Sequence, residues 1–568
     1  MKNILFMIIA VAAASCNTAL ERPAGTLVNF LPAEAEPAEV SLYSAPFSKG
    51  VNFSQWFEVT DSSRIPFTQY SESDFENVKN MGADVIRLPI RLHDMTSGAP
   101  HYTLQPLLLK LLDTAVDWAE KHHLYIIIDN HSFHPDIQTT PDIEKALIPV
   151  WEQIAQRYKD RSKYVVYEIL NEPHGISAEV WGEIQGRALN AIRKHDRKHY
   201  VIIGGTEWNS FNQLYNIPDY GDPLVIYTFH YYDPFMFTHQ GAGWSPPLQY
   251  LSNVPFPYDS KRMPRIPHEL RGTWVEHSLR NYQADASPQK LLGILDNVVK
   301  FSNDRRAPVF CGEYGVFIPN SPREDRIIWY EFITNALDNR NISRTSWDYY
   351  GGFGVFNTQL KGDFFSDLNI EIVKAMKFIP PPQTERDNSP LRSGFTLFDD
   401  YPGRNIVTGL WGSEDAVFSF YDNNTADGEF AIRCYNASRY NNFWFAFPRN
   451  GNLSELASNG FYVEFKARAE QAVKFDVRFL MPENQTSIPW RMSYTIDEKL
   501  LPPDGRWHTI HIPLSAMYDQ GAWVNRTQQW LNPKGEFSWQ NVERLEFSIE
   551  HSDLKGISFW IDSVKITR

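Results

Sequence analysis

Val165-Val166-Tyr167-Glu168-Ile169-Leu170-Asn171-Glu172-Pro173-His174-Gly175 is the stretch on which the fold turns. Its apolar, β-branched run, Val165–Leu170, stops at Asn171-Glu172-Pro173 and gives way to an amphipathic segment. A continuous apolar run with no alternation reads as a strand buried on both faces, as in a parallel sheet covered by helices. The same unit recurs on either side of it. Gly50–Phe53, Asp84–Pro89, Tyr125–Asp129, Tyr200–Gly205, Leu224–His230, Pro308–Glu313 and Ser343–Tyr349 bring the strands to eight. Between them lie helical patterns such as Gln105–His122, with Leu107, Leu108, Leu111, Leu112, Ala115 and Trp118 on one face. Eight βα units predict a closed (β/α)8 TIM barrel over residues 47–380.

In such a barrel the site forms at the carboxyl ends of the strands, so the polar residues that close each apolar run are the ones to read. Strand two carries Arg87, strand three ends at Asp129-Asn130-His131, strand four at Asn171-Glu172, strand six at His230-Tyr231-Tyr232 and strand seven at Glu313; strand eight contains Trp347. Two carboxylates at one rim suffice to hydrolyse an acetal, one protonating the leaving oxygen and the other attacking or activating water. Glu172 and Glu313 fill those places. Arg87 and the His and Tyr side chains are donors that favour charge on Glu313, leaving Glu172 free to hold a proton. A zinc site on His131, His134, His230 and His239 is the competing reading. It lacks HExxH or any similar spacing, so no metal is expected in catalysis.

Tyr167-Glu168-Ile169-Leu170-Asn171-Glu172-Pro173-His174-Gly175 resembles the acid/base motif of glycoside hydrolase family 5, the cellulase family among retaining (β/α)8 hydrolases. The other stations of that family follow in order: Gly50-Val51-Asn52, Arg87, His131, His230 with Tyr232, Glu313 within Cys311-Gly312-Glu313-Tyr314-Gly315, and Trp347. Phe237-Thr238-His239-Gln240-Gly241-Ala242-Gly243-Trp244 is similar to a stretch of some bacterial endoglucanases of the family. The resemblance implies that Glu172 is the acid/base and Glu313 the nucleophile. It further implies that Asn171 bonds the sugar 2-hydroxyl, that Trp347 floors the cleavage site, and that His230 and Tyr232 bracket the nucleophile. The implied activity is endo-β-1,4-glucanase, with β-mannanase and xyloglucanase as alternatives. A transglycosylase would use the same residues. A non-catalytic glycan-binding surface lipoprotein is the rival from another class, and the survival of both carboxylates with their supports speaks against it.

The formal net charge of −14 comes without a basic run, which excludes a nucleic-acid groove and disfavours an anionic membrane surface. A neutral polysaccharide such as β-glucan suits it better, as do the 17 Trp and 27 Tyr that can stack on sugar rings. Nearly eighty residues separate strands six and seven and carry Trp244, Tyr250, Phe256, Tyr258 and Trp274, the composition of a cleft wall.

Lys2, the apolar run Ile4–Ala14 and Ser15-Cys16 have the layout of a secretory signal. A small-residue triplet before Cys resembles the bacterial lipoprotein signal. Residues 1–16 therefore predict export across the inner membrane and a lipid anchor on Cys16, at the cell surface or the periplasmic face of the outer membrane. Residues 17–46 read as a Pro/Ala/Glu-rich linker. A second linker, 381–393, follows Pro380 and opens with Pro381-Pro382. Beyond it Phe461–Ala469, Val473–Leu480, Trp507–Leu514, Leu545–Glu550 and Ser558–Ile566 alternate with period two, which predicts an antiparallel β-sandwich over 394–568. Phe559-Trp560-Ile561-Asp562-Ser563-Val564-Lys565-Ile566 resembles the last strand of jelly-roll carbohydrate-binding modules, in which Trp490, Trp523, Trp530 and Trp539 could form a sugar-stacking face. Asp399 or Asp400 with Asp562 is a candidate structural calcium site. Cys311 and Cys434 fall in different domains, so no disulfide follows. A monomer is expected.

Overall fold

The computed structural model describes residues 39–568 except 135, 358–361, 386, 404–405, 413–416, 448–450 and 484–486. The signal segment, Cys16 and residues 17–38 of the expected linker lie outside the described residues. The described chain forms two units, one of residues 39–65 and Tyr70–Thr384, the other of Pro66–Gln69 and Glu385–Arg568. Among the described residues no helix is long and apolar enough to cross a membrane.

The first unit is built on β1 (Lys49–Asn52), β2 (Val85–Ile90), β3 (Tyr125–Asn130), β4 (Val165–Glu168), β5 (Tyr200–Gly204), β6 (Val225–Tyr231), β7 (Val309–Tyr314) and β8 (Ser343–Ser346), closed into a parallel barrel. Every residue of β2, β4, β6 and β7 is buried, because the interior is filled with side chains and helices cover the outside. Expected strand eight ran to Tyr349. It ends at Ser346, and Trp347 stands just beyond it.

The helix Pro106–Lys121 buries Leu108, Leu111, Leu112, Ala115, Val116 and Ala119. Leu107 and Trp118, expected on that face, are half-buried at its margin, and Trp118 lies flat over Trp56 with centroids 6.4 Å apart.

At the amino-terminal ends of the strands Phe47 packs among Val85, Ile127, Val166, Ile202, Ile226 and Phe310, plugging the barrel. This corrects the reading of residues 39–46 as free linker. Ser41 is buried, its N–H donates to the Arg340 carbonyl (3.1 Å) and its hydroxyl lies 2.7 Å from that of Ser302. Leu42 N–H donates to Asn303 (2.9 Å), and Asn341 donates to the Ser41 carbonyl (2.9 Å). The absence of a helical or strand period hid this arm, which docks through hydrogen bonds rather than an apolar stripe. Similarly, 381–384 of the second linker stays with the barrel: Thr384 N–H donates to the Phe365 carbonyl at 2.7 Å, and the Gln383 amide reaches the Phe364 carbonyl at 3.2 Å.

The second unit contains β9 (Phe395–Phe398), β10 (Val407–Trp411), β11 (Val417–Asp422), β12 (Ala431–Tyr435), β13 (Asn442–Ala446), β14 (Tyr462–Ala469), β15 (Phe475–Leu480), β16 (Arg491–Ile496), β17 (Trp507–Pro513), β18 (Tyr518–Val524), β19 (Gln529–Leu531), β20 (Arg544–Ser548) and β21 (Ser558–Thr567). One sheet runs β10-β13-β20-β15-β16-β18-β19, the other β11-β12-β21-β14-β17 with β9 on β21. Phenylalanines fill the space between the sheets: Phe443 stacks on Phe547 at 4.9 Å, Phe475 on Phe559 at 5.0 Å, and Phe465 meets Phe547 edge-on at 5.3 Å. All five expected strands are present.

Candidate active site

Arg87 on β2 is fully buried and is the hub of the barrel mouth. Its Nε and Nη2 donate to both oxygens of Glu168 (2.8 and 2.9 Å), Nη1 to Asn52 and Glu313 (2.9 Å each), and Nη2 also to Asn171 (2.7 Å). Asp129 lies 3.1 Å from Nη2. Burial alone would lower the Arg87 pKa, yet the charges of Asp129, Glu168 and Glu313 carry it well above its usual value.

Glu313, near the end of β7, has 6% of its side chain exposed. One carboxylate oxygen accepts from Arg87; the other accepts from the Tyr232 hydroxyl at 2.9 Å. Gly312 before it makes this possible, since a Cβ there would sit 2.9 Å from Thr228 Oγ1 and 3.2 Å from the His230 ring. Glu172, beyond β4, has 15% of its side chain exposed, and its Oε1 lies 2.6 Å from His230 Nδ1. Burial raises Glu172 to about 8, against the lowering effect of Arg87 and His174. Burial likewise lowers His230 to about 4. The one proton between them therefore resides on the carboxyl at neutral pH.

An oxygen of each of Glu172 and Glu313 and a ring nitrogen of His230 lie within 4.8 Å of one another. Among the described residues this is the one group able to hold a cation, and His131, His134 and His239 are outside it. His134 is exposed, and His239 stacks under Phe235 with centroids 4.1 Å apart.

His131 pairs its Nδ1 with Asp129 (2.7 Å), and its ring stacks on Trp347 with centroids 5.5 Å apart. Asn171 Nδ2 and His131 Nε2 are 3.3 Å apart. All eight expected site residues thus meet at one mouth: Arg87, His131, Asn171, Glu172, His230, Tyr232, Glu313 and Trp347.

Several partners were not singled out. Glu168 sits inside the apolar run of β4, where a lone carboxylate demands a buried cation; that demand was the available signal. Burial raises Glu168, and raises Asp129 to about 7. Glu58, whose carboxylate accepts the Gln55 N–H and lies 4.0 Å from His131, left no pattern in sequence. Asn209, 3.4 Å from His230 Nε2, ends a run of three left-handed residues, Glu207, Trp208 and Asn209, with φ of 55, 57 and 53°.

The long connection after β6 is less uniform than its composition suggested. Phe256 is fully buried, whereas Trp244, Tyr250 and Trp274 are exposed. Trp244 and His239 both pack on Phe353, which lies 6.0 Å from Tyr232, so part of this connection does flank the mouth.

In the sandwich, Trp523 and Trp530 face each other across β18 and β19 and are 36% and 44% exposed. Trp490 is buried, and Trp539 is half-buried with its ring edge-on to Phe479 at 5.1 Å. Asp562 accepts three backbone N–H groups, from Ala426, Asp427 and Ser563, and Asp400 accepts that of Phe430 at 2.9 Å.

The sequence model of the family Cellulase (glycosyl hydrolase family 5) matches residues 46–352, and that of Carbohydrate binding domain 30 matches residues 406–568. Endoglucanase 3 of Fibrobacter succinogenes is 27% identical over 331 residues, covering 54% of this chain and 50% of that protein. Endoglucanase H of Acetivibrio thermocellus is 27% identical over 517 residues, 87% of this chain and 51% of that protein. Endoglucanase C of the same organism is 26% identical over 329 residues, 56% of this chain and 95% of that protein. The chain spans about half the length of the first two of these relatives.

Proposed function

The chain belongs to glycosyl hydrolase family 5, and from that premise we propose that it is a retaining endo-β-1,4-glucanase acting on plant polysaccharide. The observation that carries this reading is the pair of carboxylates at one mouth, one beside a histidine and one bonded to an arginine, with oxygens within 4.8 Å. Retaining enzymes hold their carboxylates about 5–5.5 Å apart, close enough for direct attack; inverting enzymes leave room for a water.

Glu313 attacks the anomeric carbon and forms an ester as the glycosidic C–O bond breaks. The Glu172 proton passes to the departing oxygen. Glu172, now a carboxylate, takes a proton from water, whose oxygen displaces Glu313 and releases the sugar with its β configuration restored. Arg87 and Tyr232 hold Glu313 with its oxygens aimed by two donors. Asn171, bonded to Arg87, meets the sugar 2-hydroxyl, and Trp347 on His131 forms the floor. The exposed Trp523 and Trp530 are the proposed sugar-stacking face of the sandwich, and Cys16 the proposed lipid attachment of an exported, monomeric protein.

The test combines products with variants. On a panel of barley β-glucan, xyloglucan, glucomannan and galactomannan, the first two readouts are viscosity and anomer. Viscosity of β-glucan should fall before reducing ends accumulate, and proton NMR should show the β-hemiacetal first; a first-formed α-anomer overturns the retaining assignment. A preference for mannan or xyloglucan shifts the substrate to the alternatives named above. Glu172→Ala should lose about 10²–10⁴-fold on polymer, far less on an aryl cellobioside with an activated leaving group, and yield a β-glycosyl azide when azide is added.

A further inference from the structure

Glu172 is a non-glycine residue with φ of 46°, a left-handed backbone that costs on the order of 1–3 kcal/mol unless its surroundings impose it. Those surroundings centre on His174. Its Nδ1 lies 2.9 Å from the Glu172 carbonyl oxygen. A carbonyl only accepts, so Nδ1 carries a hydrogen and donates it to Glu172. Nε2 is buried and has no partner among the described residues, so the imidazole's polar function is spent on Glu172.

The ring itself is fixed. It stacks on Trp208 with centroids 4.6 Å apart and meets Phe133 edge-on at 6.2 Å. Its backbone N–H donates to Thr139 Oγ1 (3.2 Å), its carbonyl accepts from Thr139 N–H (2.8 Å), and Trp208 N–H donates to the Pro173 carbonyl (3.3 Å). Gly175 follows with φ of 70°, at a point where a Cβ would lie 2.4 Å from the Gln138 side chain. The loops after β3, β4 and β5 are thereby clasped around one imidazole.

The left-handed turn Glu207-Trp208-Asn209 closes the arrangement. Trp208 backs His174, which holds the backbone of Glu172; Asn209 backs His230, which holds its carboxyl at 2.6 Å. We propose that His174 is a positioning residue for the general acid, fixing the Glu172 carboxyl at the leaving-group oxygen through the Glu172 carbonyl and the 207–209 turn. This rests on the reading of Glu172 as the acid. A misplacement of about 1 Å is enough to cost a reacting group on the order of 10²-fold.

His174→Phe keeps a ring on Trp208 and removes the single N–H; His174→Asn restores an N–H near the place of Nδ1. Both are assayed on cellotetraose, whose leaving group needs protonation, and on 2,4-dinitrophenyl β-cellobioside, whose leaving group does not. The expected result for His174→Phe is a loss of about tenfold to hundredfold in kcat on cellotetraose, with KM little changed and a far smaller loss on the aryl substrate. His174→Asn should recover most of the difference. Equal losses on both substrates, an undiminished His174→Phe, or an Asn variant no better than Phe would each overturn the proposal. His174→Ala serves the same comparison if the phenyl ring prevents folding. Glu172→Gln, measured alongside, separates the two ideas: if it shows the leaving-group signature and His174→Phe does not, only the positioning role falls, and if it shows none, the acid assignment falls first.

Discussion

Arg87 in the barrel and Arg478 in the sandwich are both buried against carboxylates, but the charge around them is balanced differently. Arg478 donates to Glu546 (2.9 Å) and to Glu550, Arg544 donates to the second Glu546 oxygen at 3.0 Å and lies 3.3 Å from Glu543, and Arg491 lies 3.9 Å from Glu550, three cations for three anions. Burial would raise Glu546, but Arg478 and Arg544 hold it below the usual carboxylate range, and no proton is kept in store. Arg87 instead faces Asp129, Glu168 and Glu313 alone, with Glu172 close by. Burial raises these carboxylates by more than one guanidinium offsets, so protons are retained at neutral pH, Glu172 being raised to about 8 and Asp129 to about 7. A balanced network ties strands together; buried carboxylates with too few cations keep a proton ready for transfer.

The comparison can be broken most forcefully at Glu313. Glu313→Ala should lower turnover on the order of 10⁵-fold or more, as loss of a nucleophile does, and should abolish any covalent glycosyl-enzyme detectable by intact-mass measurement with a slowly released fluoro-glycoside. A trapped adduct in that variant would falsify the assignment.

Next in size are the two arginines. Arg87→Met leaves carboxylates buried without their cation, so unfolding should become easier by about 3–5 kcal/mol at pH 7. The deficit should shrink at pH 5, where those carboxylates protonate. Arg478→Met should cost a similar amount of stability in the sandwich while leaving turnover of cellotetraose within about twofold, because its partners are not at the mouth. Denaturant titrations at the two pH values and a kinetic assay decide it; a pH-independent Arg87→Met deficit contradicts the stored-proton account.

A finer measurement concerns Glu172. Its folded-state pKa is raised, so folding favours the protonated form: that stabilisation is complete below about pH 4 and is lost as pH climbs through about 8. Glu172→Gln cannot ionise, so its Tm should match wild type at pH 4 and exceed it by a few degrees at pH 9. Cellotetraose turnover by wild type should fall over the same alkaline range. If the two melting curves stay parallel from pH 4 to 9, the raised pKa is wrong. The smallest effect is in the sandwich: Trp530→Ala should weaken retention on amorphous cellulose by about tenfold and leave soluble-substrate turnover unchanged.

Much of this was legible in the sequence for identifiable reasons. Parallel strands buried on both faces produce apolar runs, and each run's polar terminus faces the mouth, so Arg87, His131, Glu172, His230 and Glu313 could be read from position alone. Glu58 could not, because it comes from an irregular segment after β1 with no period to mark it. In the sandwich, β13 was missed because Phe443 and Phe445 point inward while Trp444 and its neighbours are only half-exposed, leaving Asn-Phe-Trp-Phe-Ala without visible alternation. β16 hides for a related reason: its outward positions hold Arg491 and Ser493, polar groups that are nonetheless buried.

The docked arm at residues 39–46 has a consequence for presentation. It meets the turns that lead into β7 and β8, at the closed end plugged by Phe47 and opposite the carboxylates. Anything that holds the chain from upstream therefore grips it by its base. A barrel held at that end turns its mouth away from whatever holds it, so the carboxylates stay open to polymer approaching from the far side.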